Sequence, residues 1–210
     1  LNWKNNKKVS VIGNPVTFDT NIKTAPLTDK KFITAGRLVH QKNHKSLINA
    51  WKIVNQKHPD WLLEIWGDGA LKNELSKQIH TLGLNNKVLL KGYTNDIISQ
   101  MQKVSGYVLS SLFEGMPLVL IEAMSCGLPI VSYTCQCGPK DLIDHGKNGF
   151  LCEVNDEQKL AEYICTIIED DKLRINMGKT SKEKSEEFKI EKIATKWVTL
   201  FQLLINNKNK

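Results

Sequence analysis

The sequence predicts an α/β fold: a Rossmann-like, doubly wound parallel sheet with helices on both faces, plus C-terminal helices. Three observations support this class. Short apolar runs alternate with longer amphipathic stretches from residue 31 onward, and such alternation is typical of strand–helix units around a parallel sheet. Four of the six runs are closed by a glycine or serine, namely Gly36, Gly67, Gly92 and Ser110. The chain has 210 residues, 41% of them hydrophobic, which is enough for one buried core.

The elements follow in order from this alternation. Strands are predicted at residues 31–35, 61–66, 88–90, 106–110, 130–133 and 149–152. Helices are predicted at residues 43–58, 71–82, 95–103, 118–126, 139–144, 156–169, 171–187 and 190–205. The first helix illustrates the argument: apolar residues recur at helical spacing, and Pro59 ends the pattern. In such sheets ligands bind beyond the carboxyl ends of the strands, so functional residues are expected directly after them.

The chain divides into three parts. Residues 1–30 are predicted to be a connector from a preceding domain, with a short strand near Val9–Ile12 before Pro15. Residues 31–188 form the main domain, and residues 189–210 a C-terminal helix. The first residues contain no apolar segment like that of a secretory signal. We interpret this terminus as a cut within a longer chain.

Charge and cysteine content narrow the possible functions. The net charge of +7 is compatible with a solvated lysine-rich exterior, an anionic membrane surface or a polyanion. No aromatic RNA-binding motif or zinc finger accompanies it, so nucleic acid is not expected as a partner. Five irregularly spaced cysteines indicate reduced thiols in a cytoplasmic protein rather than a disulfide framework. No apolar run is long enough for a transmembrane helix.

The stretch from Ser110 to Met124 carries the most distinctive chemistry. A strand ends at Ser110, a loop holds Glu114, and Pro117 stands where a helix begins. Backbone amides from Gly115 to Leu118 are therefore free donors at a positive helix end, suited to an anion or a sugar hydroxyl. Met116 lies within this loop.

Glu122 is unusual because its helix is apolar nearly all round and should be buried. A buried carboxylate is costly unless hydrogen bonds or charges satisfy it. It could accept both hydroxyls of a ribose. It could equally pair with a neighbouring lysine or a backbone amide.

Two cations follow the first strand directly. Arg37 can bind phosphate oxygens through two parallel hydrogen bonds, and Lys42 can add a point charge. Together they could neutralise a diphosphate and stabilise it as it departs. The alternative is two solvated cations in a basic protein. Gly36 precedes them, and Tyr93 could lie under a base or be ordinary packing.

Other candidates are weaker. Residues 67–69, Gly-Asp-Gly, are most simply a strand-to-helix turn, because a third glycine of the dinucleotide fingerprint is missing. The five histidines show no metal-binding spacing. No metal or cofactor is therefore predicted.

Together these segments resemble the C-terminal, donor-binding domain of the family 4 ("group 1") retaining glycosyltransferases of the GT-B fold. The resemblance runs from about residue 8 to residue 205. Its most specific part is a pair of glutamates, Glu114 and Glu122, with seven residues between them. The sequence around Arg37 resembles the family's phosphate-binding loop, and residues 138–151 its downstream stretch.

The resemblance implies a role for each residue. Arg37 and Lys42 would bind the donor diphosphate, Glu122 the ribose, and Glu114 the transferred sugar. The amides of residues 115–118 would contact sugar and phosphate, and Tyr93 would lie near the base. The implied catalytic residues are therefore Glu114, Arg37 and Lys42, and the implied substrate-binding residues are Gly36, Arg37, Lys42, Tyr93, Glu114, Gly115, Met116, Pro117, Leu118 and Glu122.

The implied activity is transfer of a hexose from a UDP-sugar to a saccharide or lipid-linked acceptor in cell-surface polysaccharide synthesis. The other implied partner is an N-terminal acceptor domain, with peripheral contact to an anionic membrane on its cytoplasmic face. This chain by itself is expected to be inactive. One departure is Asn43, which stands where glycine is common in the family. Alternatives are another GT-B enzyme such as a sugar-nucleotide epimerase, or a non-catalytic nucleotide-binding module.

Overall fold

The computed structural model describes residues 9–16 and 22–208. One parallel sheet has the strand order β3-β2-β1-β4-β5-β6. Its strands are β1 (Lys31–Ala35), β2 (Leu62–Trp66), β3 (Val88–Gly92), β4 (Gly106–Leu109), β5 (Ile130–Tyr133) and β6 (Gly149–Cys152). This order is that of a Rossmann-type doubly wound sheet, which confirms the predicted fold class.

Eight α-helices connect and follow these strands within the described residues. They are α1 (His44–Lys57), α2 (Lys72–Thr81), α3 (Ile97–Met101), α4 (Leu118–Ser125), α5 (Pro139–Leu142), α6 (Glu157–Glu169), α7 (Asp171–Ser185) and α8 (Ile190–Lys208). Two short 3₁₀ helices cover His40–Lys42 and Glu186–Phe188. Each strand and each α-helix lies where the sequence predicts one, with shifts of a few residues at the ends, whereas the 3₁₀ helix at His40–Lys42 is not predicted.

Neighbouring residues of a strand point to opposite faces of the sheet. Helices cover both faces, so each face has its own core cluster. Phe32 packs with Trp51 of α1 in one core cluster. Ile33, the next residue, packs with Ile121 of α4 in the other. Both strand residues are fully buried. The continuous burial of β4 and β5 follows from this two-sided cover.

The strand order fixes where a site can form. After β1 the sheet grows outward to β2 and β3, and it then returns to place β4 on the other side of β1. The loops after β1 and β4 therefore diverge from neighbouring strands and leave a crevice between them. Both predicted loops, one with Arg37 and Lys42 and one with Glu114, begin there.

The strand predicted near Val9–Ile12 is wrong. Residues 9–16 have no regular secondary structure, and Val9 and Val11 are exposed. A short apolar segment needs a partner strand for its backbone groups, and this one pairs with neither edge of the sheet. Its contacts with the domain include the Asn14 amide, which lies 3.1 Å from Met116 Sδ, and Val16, which is buried and donates its amide to the carbonyl of Phe188 at 3.0 Å.

The predicted connector also includes residues 1–8 and 17–21, which lie outside the described residues. At the other end of the chain, α8 buries Ile193 but leaves Trp197 and Phe201 about half exposed. Among the described helices none is long and apolar enough to cross a bilayer.

Candidate active site

A cavity of about 580 Å³ opens at the carboxyl ends of β1, β2, β3 and β4. Nine of the ten residues predicted to bind substrate line it: Gly36, Arg37, Lys42, Tyr93, Glu114, Met116, Pro117, Leu118 and Glu122. The tenth, Gly115, is exposed between two lining residues. Two cations and two acids that are distant in sequence therefore share one crevice.

The residues from Gly36 to Asn43, which we call the basic loop, hold Lys42 in a compact turn. Residues 40–42 form a 3₁₀ helix, and Asn43 ends it in the left-handed region, with φ 51° and ψ 39°. Glycine adopts that conformation readily, and asparagine tolerates it better than most other residues. Asn43 thus adopts a backbone conformation that glycine also favours.

The residues from Ser110 to Pro117, which we call the acidic loop, are bonded to the basic loop. The Leu112 amide donates to the carbonyl of Gln41 at 2.9 Å. The Gln41 side chain donates to the carbonyl of Phe113 at 2.9 Å. The Ser110 hydroxyl donates to the carbonyl of Lys42 at 2.8 Å. These bonds fix the separation between the two loops across the crevice.

The Lys42 ammonium and Glu114 carboxylate form the closest charge contact in the cavity. Lys42 Nζ lies 2.6 Å from Glu114 Oε1, and the side chains are 16% and 9% exposed. The Ser111 hydroxyl donates to the same oxygen at 2.7 Å. A pair this sheltered is weakly screened by solvent, so Glu114 is held in one position before any ligand arrives.

Arg37 is the second cation of the basic loop that lines the cavity. Its side chain is exposed at the cavity wall. Within the described residues, no carboxylate lies in salt-bridge range of it. A guanidinium left free beside Lys42 is a ready ligand for phosphate oxygens.

Glu122, the second glutamate of the cavity, has different surroundings from Glu114. It lies in α4, one face of which forms the cavity wall. No group in the described part of the chain donates a hydrogen bond to it. Burial raises the pKa of its carboxyl above the usual range. A half-buried carboxylate that is open only to a cavity is satisfied by donors that a ligand brings.

The cavity floor comes from the ends of β2 and β3. A Cβ at Gly67, where φ is 136°, would overlap the carbonyl oxygen of Gly36. The amide of Gly36 donates to Trp66 at 2.9 Å, and the amide of Gly67 donates to Gly92 at 2.7 Å. The glycine at position 67 therefore allows three backbones to meet, which is more than the simple turn that the sequence predicts.

Several lining residues are missing from the prediction: Ala35, Trp66, Gly67, Asp68, Thr94, Ile97 and Val119. Trp66 is the last residue of β2 and Asp68 lies two residues beyond it, so the rule that ligands bind at the carboxyl ends of strands could have identified both. Ile97 gives no such signal, because its place depends on how α3 packs. Tyr93 lies at the rim and is 75% exposed.

The loop after β5 supports the acidic loop from behind. At Gly138, with φ 87°, a Cβ would come within 2.7 Å of the carbonyl oxygen of Gly115. Burial, followed by the nearby charge of Glu114, raises the pKa of the Cys135 thiol. Cys135 is therefore a neutral packing residue here, whereas Cys137 is exposed.

His44 is buried beneath the basic loop. Burial lowers its pKa to about 4. The carbonyls of Arg37 and Gly36 lie near the ring and oppose that shift, but neither ring nitrogen has a hydrogen bond. The positive charge of Lys42 acts in the same direction as burial. His44 is thus a neutral spacer under the loop.

The sheet order, the crevice and the two opposed loops define a Rossmann-like domain of the kind found in GT-B proteins. The profile of the family "Glycosyl transferases group 1" matches residues 16–184. The chain belongs to this family.

Known glycosyltransferases are similar to this chain in sequence and in solved structure. An uncharacterised glycosyltransferase of Haemophilus influenzae is 36% identical over 195 residues, covering 93% of this chain and 55% of its own. The 4-alpha-N-acetylgalactosaminyltransferase of Campylobacter jejuni that acts on a diphospho-undecaprenol-linked saccharide is 33% identical over 91% of this chain and 54% of its own. Anabaena HepE in complex with UDP has a TM-score of 0.82 at 29% identity, covering 92% of this chain and 57% of that one. This chain spans about half the length of such relatives.

Proposed function

We propose that this chain is the donor-binding half of a retaining glycosyltransferase and that its donor is a UDP-linked hexose. The observation that carries the proposal is that Glu122 and Arg37 line the same cavity. Among the residues that the structure describes, the Glu122 carboxylate has no hydrogen-bond donor and the Arg37 guanidinium has no acceptor. A nucleoside diphosphate supplies both, as ribose hydroxyls and phosphate oxygens.

Each lining group then has a role. Arg37 and Lys42 bind the diphosphate, Glu122 accepts the two ribose hydroxyls, and Tyr93 lies beside the base. Glu114, held by Lys42 and Ser111, faces the transferred sugar. Amides of residues 115–118 lie at the start of α4, where a helix end favours anions and hydroxyl oxygens.

In the proposed reaction the bond from sugar C1 to the diphosphate oxygen breaks, and a bond from C1 to the acceptor hydroxyl oxygen forms on the same face. The acceptor's proton passes to the departing diphosphate. Arg37 and Lys42 stabilise the negative charge that grows on that leaving group. The residues on this chain need no metal for these steps.

Two neighbours support the choice of donor. Solved structures of Anabaena HepE contain UDP and UDP-glucose, and a Staphylococcus aureus TarM structure contains UDP. A saccharide or lipid-linked acceptor in polysaccharide synthesis is proposed from the Campylobacter relative's name. We also propose a cytoplasmic location, where the net charge of +7 would favour contact with anionic lipids and the N-terminal half would bind the acceptor.

Titration calorimetry with UDP tests the proposal. We expect binding that falls about 100-fold in Arg37→Ala, because a charge-assisted contact to phosphate is lost. Lys179→Ala removes an exposed cation outside the cavity and should leave affinity unchanged. Absence of UDP binding by the folded protein would refute donor binding. Epimer formation without transfer by the full-length enzyme would instead favour an epimerase.

A further inference from the structure

The structure holds a second group of chemically reactive side chains, far from the crevice. His58, at the end of α1, and Cys165 and Glu169, both on α6, each place one ligand atom within 4.8 Å of the others. The crevice lies near the other end of α1, which has 14 residues. At 1.5 Å per residue, the two places are about 20 Å apart.

The three side chains converge because of two independent packing features. Cys165 and Glu169 are four residues apart on one helix and so lie on the same face. The end of α1 is anchored at His58, whose amide donates to the carbonyl of Val54 and whose carbonyl accepts from Trp61. Elsewhere along this helix pair, Asn49 donates to Glu157 at 3.0 Å, so α1 and α6 are held in register.

The Cys165 thiol is buried at 3% exposure and has no hydrogen-bond partner among the described residues. The other buried thiols differ, since those of Cys126, Cys135 and Cys152 each lie within hydrogen-bonding range of a backbone carbonyl. The Cys165 Sγ atom lies within 4.8 Å of the ligand atoms of the His58–Glu169 pair, whose Nε2 and Oε1 atoms are 2.9 Å apart.

We propose that His58, Cys165 and Glu169 bind a zinc ion. Nitrogen, thiolate and carboxylate are the ligands zinc prefers, with bond lengths of about 2.0–2.3 Å. At tetrahedral angles those lengths place the ligand atoms about 3.3–3.6 Å apart. That spacing lies between the 2.9 Å of the His–Glu pair and the 4.8 Å limit of the group, so small side-chain rotations suffice.

The charges of the three proposed ligands and their access to solvent are compatible with a zinc ion. One thiolate and one carboxylate balance the two positive charges of zinc, and histidine binds it neutral. His58 and Glu169 also line a surface hollow of about 460 Å³, which gives an entry route and room for water as the fourth ligand. The acids of that hollow, Asp60 and Asp171, are already paired with Lys30 and Arg174.

The site would join the ends of α1 and α6 and would take no part in sugar transfer. Its prediction is thus independent of the proposed function. The sequence offers no spacing signal for it, because His58 is more than 100 residues from its two partners. This is why the histidine spacing alone predicts no metal.

Metal titration of the purified, reduced protein tests the site, with Zn²⁺ followed by competition against a chelating dye and Co²⁺ followed by absorption. We expect one ion per chain and a thiolate-to-cobalt charge-transfer band. Cys165→Ser should abolish the band and weaken Zn²⁺ binding at least 10-fold. Cys137→Ser, which alters an exposed thiol elsewhere, should change neither.

A second variant protects the test against misfolding. Glu169 is largely exposed, so Glu169→Gln should fold normally, keep the buried thiol and still weaken Zn²⁺ binding about 10-fold. Bound zinc should also raise the melting temperature of the unaltered protein and not that of Cys165→Ser. Equal Zn²⁺ affinity in all variants, or a cobalt complex without a thiolate band, would overturn the assignment.

Discussion

The two glutamates of the cavity differ in what surrounds them. Glu114, in the acidic loop, is bonded to Lys42 and Ser111 before any ligand binds. Glu122, one helical turn into α4, has no such partner in the described chain, and burial raises its pKa. The first carboxylate is already oriented and neutralised, whereas the second is satisfied when a ligand supplies donors.

From this difference we infer that Glu114 serves mainly to orient the sugar and Glu122 mainly to bind the nucleotide. A group that is fixed in advance by its neighbours contributes most where geometry matters, at the reacting sugar. A group that lacks partners gains most from ligand binding, because part of its desolvation cost has already been incurred. The same chemical group thus has two proposed roles, each set by the residues around it.

The largest expected effect is that of Glu114→Gln on turnover. The substitution keeps the side-chain shape but removes the charge that we propose faces the sugar. We expect release of UDP from the UDP-sugar by the full-length enzyme to fall about 100- to 1,000-fold, with UDP affinity changed less than about threefold. Glu183→Gln, at an exposed acid, is the control. A large loss of UDP affinity would erase the distinction between the two acids.

A second effect concerns pH. His44 has a pKa of about 4 in the folded protein and about 6.5 when unfolded. The unfolded chain therefore binds more protons between these values, and stability should fall by about 3 kcal/mol as pH drops from 6.5 to 4. His44→Gln should flatten this part of the curve, measured by urea unfolding at several pH values. Glu122 acts oppositely, since its raised pKa favours the fold at low pH.

The next effect is that of Glu122→Gln on nucleotide affinity. An amide has only one acceptor oxygen and no charge, so it replaces the carboxylate poorly toward two hydroxyls. We expect UDP affinity to fall about 10- to 30-fold by calorimetry, an amount typical of a charge-assisted hydrogen bond. Unchanged affinity would mean that Glu122 does not contact the nucleotide.

The smallest effect is on the stability of the ligand-free protein, and here the two acids should differ in sign. Glu114→Gln leaves the sheltered Lys42 without its counter-charge and should destabilise the fold by about 1–3 kcal/mol. Glu122→Gln removes a partly buried charge and should stabilise it by less than about 1 kcal/mol. Urea unfolding of both variants at pH 7 measures the difference, and equal losses would contradict it.

Much of the fold follows from local pattern. Strand–helix alternation predicts the elements from β1 to α8, because apolar runs that alternate with amphipathic helices are typical of a parallel sheet covered by helices. The strand at Val9–Ile12 was wrongly predicted because an apolar run alone does not show whether a partner strand exists. Whether a strand finds a partner depends on the tertiary structure.

The site was predictable to the extent that its residues follow strands. Arg37, Lys42 and Glu114 do so directly, whereas Glu122 was identified by its misfit in an apolar helix. Ile97 of the cavity and the His58–Cys165–Glu169 group were not predicted, since both depend on how helices pack. The sequence predicts Lys42 as a phosphate ligand, but it does not predict the ion pair between Lys42 and Glu114.

The most direct measurement is binding of UDP and of 2′,3′-dideoxy-UDP to the unaltered protein and to Glu122→Ala. If the carboxylate accepts the ribose hydroxyls, the substitution should weaken UDP at least 10-fold and the dideoxy analogue less than about twofold, by analogy with a double-mutant cycle. Equal weakening of the two ligands would show that Glu122 does not bind the ribose and would contradict convergence of the four charged residues on one nucleotide sugar.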